Sequence, residues 1–161
     1  MLLLVAAVLT ACTGGSDSSA NTPSAGTVVP TTTSSPSRLS KTLVAKLLTE
    51  EARTLLASDD APGALESIDQ AMATESSEES LLVRADVLAA LGRSREALEV
   101  YDDMIERDST LALQARRARG LLRATEGRSA EAIGDLEAWL EVAPQDEQIQ
   151  KALAAAESER G

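Results

Sequence analysis

The chain has 161 residues, a formal net charge of −11, and neither His nor Phe. Its length allows one domain of ordinary size. Without His it lacks the commonest general base and the commonest metal ligand, and its acidity argues against nucleic acid, whose phosphates demand a positive surface. A domain so acidic is also expected to be repelled by an anionic lipid surface. Tyr101 and Trp139 are the only aromatics. A core poor in aromatics and rich in Ala and Leu suits small, closely packed helices, because sheets favour β-branched and aromatic residues.

From the N-terminus, residues 1–11 are apolar but for Thr10. Eleven residues are too few to span a bilayer, which needs about 20, but they suit the apolar region of a signal peptide. Leu9-Thr10-Ala11-Cys12 follows, and Cys12 is the single cysteine. This run resembles the lipobox of bacterial lipoproteins. The resemblance implies that the Cys12 thiol receives a diacylglyceryl group and that the signal is cut just before it. The opening Met1-Leu2-Leu3-Leu4 carries no Lys or Arg, so either the α-amino group supplies the positive charge or the true start lies upstream. Two or more acyl chains hold a protein stably at a membrane, where one does so only marginally.

Residues 12–38 read as a tether rich in Ser, Thr, Gly, Pro and Ala, with Val28-Val29 as its large apolar pair. Such a composition cannot bury a core and predicts disorder. As a flexible coil it would span roughly 25–30 Å, and about 85 Å when stretched. Basic residues begin at Arg38, and all acids but Asp17 lie beyond it.

Helical periodicity starts after Arg38 and fills a domain over 39–160, with Leu39, Leu43 and Leu47, then Leu48, Ala52 and Leu55, at three- and four-residue spacing. Seven helices are predicted, over about 40–58, 61–74, 78–91, 94–107, 111–126, 129–142 and 146–159. Asp59-Asp60, Gly92-Arg93-Ser94 and Gly127-Arg128-Ser129 mark turns. Ser94 and Ser129 are expected N-caps. Pro144 closes the sixth helix and Asp146 caps the seventh.

A repeat underlies this pattern. Ala64-Leu65, Ala97-Leu98 and Ala132-Ile133 recur at spacings of 33 and 35 residues. The runs Arg84-Ala85 to Gly92 and Arg119-Gly120 to Gly127 each place a small residue seven positions before a Gly, and a Glu-Ala-apolar triplet follows. The small residue lets two helices approach closely, and the Gly ends the first helix in a conformation other residues adopt poorly. These units resemble tetratricopeptide repeats, over about 45–78, 78–111 and 113–146. The third copy matches best, through Arg119-Gly120, Gly127, Ala132-Ile133, Leu136 and Pro144. The first is degenerate, with Asp59 in place of Gly and Ser76 in place of Pro. Large aromatics of the family's first helix are replaced by Leu48, Leu81 and Arg116.

The resemblance implies an all-α, right-handed superhelical solenoid of about three helix pairs, closed by a capping helix over 146–159. First helices would line a concave groove that takes peptides or helices of partner proteins. Carried onto this chain, the groove face is Lys46, Thr49, Arg53 and Leu56 on one helix. Glu79, Leu82, Asp86 and Ala89 follow on the next, then Gln114, Arg117, Leu121 and Ala124. Among these Lys46, Arg53, Leu82, Asp86, Arg117 and Leu121 are the chief partner-binding candidates, with Arg53 and Arg117 flanking Asp86. The clamp for C-terminal carboxylates found in some relatives is not expected, because Asp86 and Ala118 occupy its positions.

Two further features have a functional and a plainer interpretation. Arg116, Arg119 and Arg123 share a helical face and either hold an acidic partner segment or pair with Asp102, Asp103 and Glu106 of the preceding helix. Trp139 either fills space under the last helix or faces a partner. No nucleophile with an adjacent base, no phosphate loop and no metal or cofactor motif is found. The expected protein is therefore not an enzyme. It is a lipid-anchored adaptor on the outer side of a bacterial membrane, binding an envelope protein or peptide segment and no nucleic acid. A structural accessory subunit of an envelope enzyme or secretion complex is the alternative. An exposed apolar patch in the groove favours the first, and one at a solenoid end favours the second.

Overall fold

The computed structural model describes residues 36–160. The expected signal segment 1–11, Cys12 and residues 13–35 of the tether lie outside the described residues. Among those described, the chain forms seven helices and no strand: α1 (Pro36–Ala57), α2 (Ala61–Thr74), α3 (Glu78–Ala90), α4 (Ser94–Glu106), α5 (Ala112–Thr125), α6 (Ser129–Leu140) and α7 (Glu147–Arg160). The starts of α2 to α7 fall within one residue of the expected positions. The start of α1 does not: the helix takes in Pro36, Ser37 and Arg38, which had been assigned to the tether. Proline is well placed there, because the first turn does not use its missing N–H.

Four short reversals share one construction. Asp59, Gly92, Asp108 and Gly127 have φ of 63°, 73°, 49° and 73°. After each, the next amide bonds back five residues, as from Arg93 N to the Leu88 carbonyl (2.9 Å) and from Arg128 N to the Arg123 carbonyl (2.8 Å). The Gly92 and Gly127 amides bond to Ala89 and Ala124, which completes the Schellman pattern. Asp adopts the left-handed region more readily than most residues, so Asp59 ends α1 as Gly92 ends α3.

The helix starts correct one expectation. Ser94 and Ser129 are not N-caps: Arg93 and Arg128 hold those positions and make no side-chain cap bond. The turn is so short that the residue after each Gly must already serve as the next N-cap. Each Arg instead forks onto a carboxylate in the first turn. Arg93 Nε and Nη2 donate to Glu96, both at 2.7 Å, and Arg128 donates to Glu131 at 2.9 and 2.6 Å. Elsewhere expected or conventional caps form. Asp60 accepts from Gly63 N (3.0 Å), Ser77 and Ser80 make a capping box, and Asp146 accepts from Ile149 N (3.2 Å).

Three apolar clusters run along the stack. Ala52, Ala64, Ile68, Ala71, Val83 and Val87 join α1, α2 and α3. Ala85, Leu88, Ala97, Tyr101, Met104 and Ala115 join α3, α4 and α5. Ala132, Leu136 and Ile149 join α6 and α7, with Leu121 of α5 packed against them. The repeated Ala64, Ala97 and Ala132 are all fully buried. Gly120 permits a close helix approach: a Cβ there would sit 2.9 Å from Leu136 Cδ2. Besides sequential neighbours, the backbones of α1 and α3, α3 and α5, and α5 and α7 come close, whereas those of α2, α4 and α6 stay apart from one another. Helices that stay in contact lie on the inside of a bend, so the odd-numbered helices form the inner layer.

Candidate functional site

That inner layer forms an open trough of about 650 Å³. Leu56 of α1, Leu82 and Asp86 of α3, and Gln114, Arg117, Ala118 and Leu121 of α5 line it, with Trp139 of α6 and Asp146 before α7 closing one end. Positions 82 and 86, and 114, 117, 118 and 121, are three, four or seven residues apart. Each set therefore falls on one face of its helix.

Asp86 is a half-buried acid of the trough. The hydroxyl of Tyr101, only 1% exposed on α4, donates to Asp86 Oδ1 at 2.6 Å. Burial pushes the Asp86 carboxyl above its ordinary value. The Tyr101 bond and the charges of Arg53 and Arg117 oppose that shift without cancelling it. Burial and the neighbouring carboxylate push the Tyr101 phenol far up, so it stays a neutral donor.

Arg117 and Trp139 form the other wall. The guanidinium carbon lies 5.5 Å from the indole centroid, within cation–π range. Arg117 Nε and Trp139 Nε1 both donate to Asp146 Oδ2, at 3.3 and 2.9 Å, and Arg117 Nη2 donates to Gln148 at 2.9 Å. Asp146 thus caps α7 with one oxygen and organises the trough with the other. Partial burial raises its pKa, but the Ile149 amide, Trp139 and Arg117 together outweigh that and hold the carboxyl below its ordinary value.

Of the chief candidates, the structure brings Leu82, Asp86, Arg117 and Leu121 together. Arg53 stands at the edge, paired with Glu79 (3.0 Å) and Glu50 (3.4 Å), and reaches Asp86 through its field alone. Lys46 is placed apart, in a cleft of about 140 Å³ with Thr42, Ala45, Thr49, Glu75, Ser77 and Glu79. Thr49 is buried, its hydroxyl spent on the Ala45 carbonyl of its own helix (2.9 Å). Ala124 faces a separate apolar slot against Ala152 and Ala156 of α7. Trp139 both packs against the cluster of Ala132, Leu136 and Ile149 and lines the trough. Asp146 was expected only as a cap. Its role in the trough depends on a neighbour 29 residues away, which local spacing does not reveal.

The arginine face of α5 is structural. Arg119 binds Asp135 of α6 through two bonds, 2.7 and 2.6 Å, and reaches Asp102 at 2.5 Å. Arg123 adds a bond of 3.0 Å to Asp135, and Arg116 stands 3.7 Å from it. Asp135 is 4% exposed. Of the three expected partners only Asp102 takes part; Asp103 pairs with Arg107 of its own helix. The acid at the centre comes from the following helix, because close packing at Gly120 draws α6 onto this face.

Among the described residues, no group of three or more His, Cys, Asp or Glu is placed to hold a metal ion, and no helix is long and apolar enough to cross a membrane. In comparisons with known proteins, no family model matches the chain and no curated protein matches it.

Proposed function

We propose that this chain is a lipid-anchored interaction module of the tetratricopeptide type, held by Cys12 on the outer face of a bacterial membrane and binding a segment of an envelope protein in its trough. The observation that carries the reading is the trough itself. Its floor has apolar Leu56, Leu82, Ala118 and Leu121, its walls have Asp86 and the Arg117–Trp139–Asp146 group, and it is open along the inner layer. An apolar floor with a few fixed polar groups suits a peptide or helix face. The left-handed Gly92 and Gly127, the close approach at Gly120 and the layering of odd helices support three helix pairs with α7 as the cap. The right-handed superhelix is what the family resemblance implies. We read the protein as a binder and not an enzyme, since the polar groups of the trough are spent on one another: Tyr101 on Asp86, and Arg117 and Trp139 on Asp146.

The test is site-specific cross-linking in intact membranes. A photoreactive residue at exposed Gln114 is expected to capture one discrete partner, and Leu82→Arg should abolish that adduct. The same group at Glu99, on the outer layer, should capture none. Equal adducts at both positions would remove the trough from consideration. The anchor is tested separately: Cys12→Ala should lose incorporation of a fatty-acid analogue. The accessory-subunit reading draws on a different observation, the exposed Leu43, Val44 and Leu47 at the α1 end of the stack.

A further inference from the structure

We propose that the first half of α1 is a docking element for an anionic lipid surface, seating the end of the helical stack on a bilayer although the domain as a whole is acidic. The face is defined by Leu43, Val44 and Leu47, exposed to 59%, 46% and 61%. Leu43 and Leu47 are one helical turn apart with Val44 beside them, so they form one continuous strip. The inward positions of the same helix, Ala45, Thr49 and Ala52, are buried against the stack. α1 is 22 residues long, whereas α2 has 14. Thr42 already bonds to Glu75, at the C-terminal end of α2, so the turns before Thr42 project beyond their partner helix.

Charge selects the occupant. Arg38, Lys41 and Lys46 lie on this half of the helix, and no acid occurs between Asp17 and Glu50. A chain of net charge −11 therefore presents at this end two exposed lysines and an apolar strip, the pattern of a helix that lies at an anionic interface. Lys41 and Lys46 are exposed, and neither makes an ion pair with an acid among the described residues. A second copy of the chain is a poor fit. Strip against strip would set like charges against each other, and three side chains cannot supply the roughly 800 Å² per partner of a stable complex. Glu50 and Glu51 follow directly on the outward side. Their charge limits the contact to the part of α1 before Glu50. The repulsion expected from net charge thus applies to the domain as a whole and not to this end. The segment that carries Cys12 joins the domain at the same end; this last point rests on the anchor proposed above, whereas the charge and the strip do not.

The test imposes the tether, so that it does not depend on natural lipidation. The full chain is coupled through Cys12 to a maleimide-headgroup lipid in vesicles, and amide hydrogen exchange is followed over residues 36–47. The terminal turns of a helix fray and open readily, and docking should slow their exchange several-fold. Slowing is expected on vesicles containing phosphatidylglycerol and not on pure phosphatidylcholine. It should be lost in high salt and in the Lys41→Glu, Lys46→Glu variant, with exchange in α7 unchanged throughout. Equal exchange on the two kinds of vesicle overturns the proposal without needing the variant to fold. Protection in the free chain that grows with protein concentration would give the strip to a second copy. Protection in the free chain at every concentration would give it to the chain's own N-terminal segment. Either result also overturns the proposal.

Discussion

Asp86 shows how one side chain serves two ends. It is the acceptor that lets Tyr101 bury its hydroxyl, and it is one of the two acids of the trough. A buried Tyr without a partner costs about 1–3 kcal/mol. Replacing Asp86 with a cation to probe binding would therefore also disturb the core, and Asp86→Asn, which keeps an acceptor, is the better probe. Its pH behaviour follows from the raised carboxyl. The folded state holds the Asp86 proton more tightly than the unfolded chain does. Asp86 therefore contributes most at acid pH, and its contribution falls as pH rises from the ordinary carboxylate range through the raised value. Denaturation of wild type and Asp86→Asn from pH 3 to 7 should show the variant gaining on wild type as pH rises. A difference that stays flat, or that runs the other way, contradicts the assignment of burial as the dominant cause.

Three glycines separate the element-scale demands. Gly120 lies where α5 meets α6, and a Cβ would sit 2.9 Å from Leu136 and 3.1 Å from Asp135. Gly120→Ala should destabilise by about 1–3 kcal/mol through overpacking, and it should also loosen the Arg119–Asp135 pair beside it. Gly127 has open space around it but a φ of +73°, so Gly127→Ala should cost about 1 kcal/mol through backbone strain alone. Gly134 lies inside α6 with nothing within 4 Å of an added Cβ. Gly134→Ala should stabilise by about 0.5–1 kcal/mol, as for any exposed helix interior. Chemical denaturation of the three variants checks the order. If Gly120→Ala proved as mild as Gly134→Ala, the close approach of α5 and α6 would be wrong.

At the scale of the whole molecule, stability is expected to be additive along the stack, because each helix pair touches only its neighbours. α7 supplies Ile149 to the last apolar cluster, and Asp146 just before it holds Trp139 and Arg117. A chain ending after Pro144 should therefore lose about 2–4 kcal/mol, the scale of one or two large buried side chains. Trp139 is the only tryptophan, so its emission should shift red as cover is removed. The α1–α2–α3 cluster should keep its hydrogen-exchange protection. An unchanged denaturation midpoint, or loss of protection at the α1 end, would count against the capping role and the nearest-neighbour picture respectively.

Local chemistry wrote much of this architecture into the chain. Gly92, Gly127 and Asp59 end helices because of the backbone they allow, and Ala64, Ala97 and Ala132 are buried because only small residues fit where helices cross. Those signals lie within a few residues of their effects, so helix positions and the inner faces of α3 and α5 were legible, and with them Leu82, Asp86, Arg117 and Leu121. Partners one repeat away were not. Thr42 meets Glu75, Glu78 meets Thr110, Arg117 meets Asp146 and Ser129 meets Glu159 across 33, 32, 29 and 30 residues. Spacing on a single helix carries no information about them. Tertiary structure alone decided that Asp135, not Asp103 or Glu106, collects the arginines. It alone placed Trp139 and Asp146 in the trough and set Lys46 apart from it. It alone left Leu43 and Leu47 of α1 uncovered. Period and composition fix what each helix is, but which side chains meet depends on how far one helix is offset against the next, and that is settled only when the stack is packed.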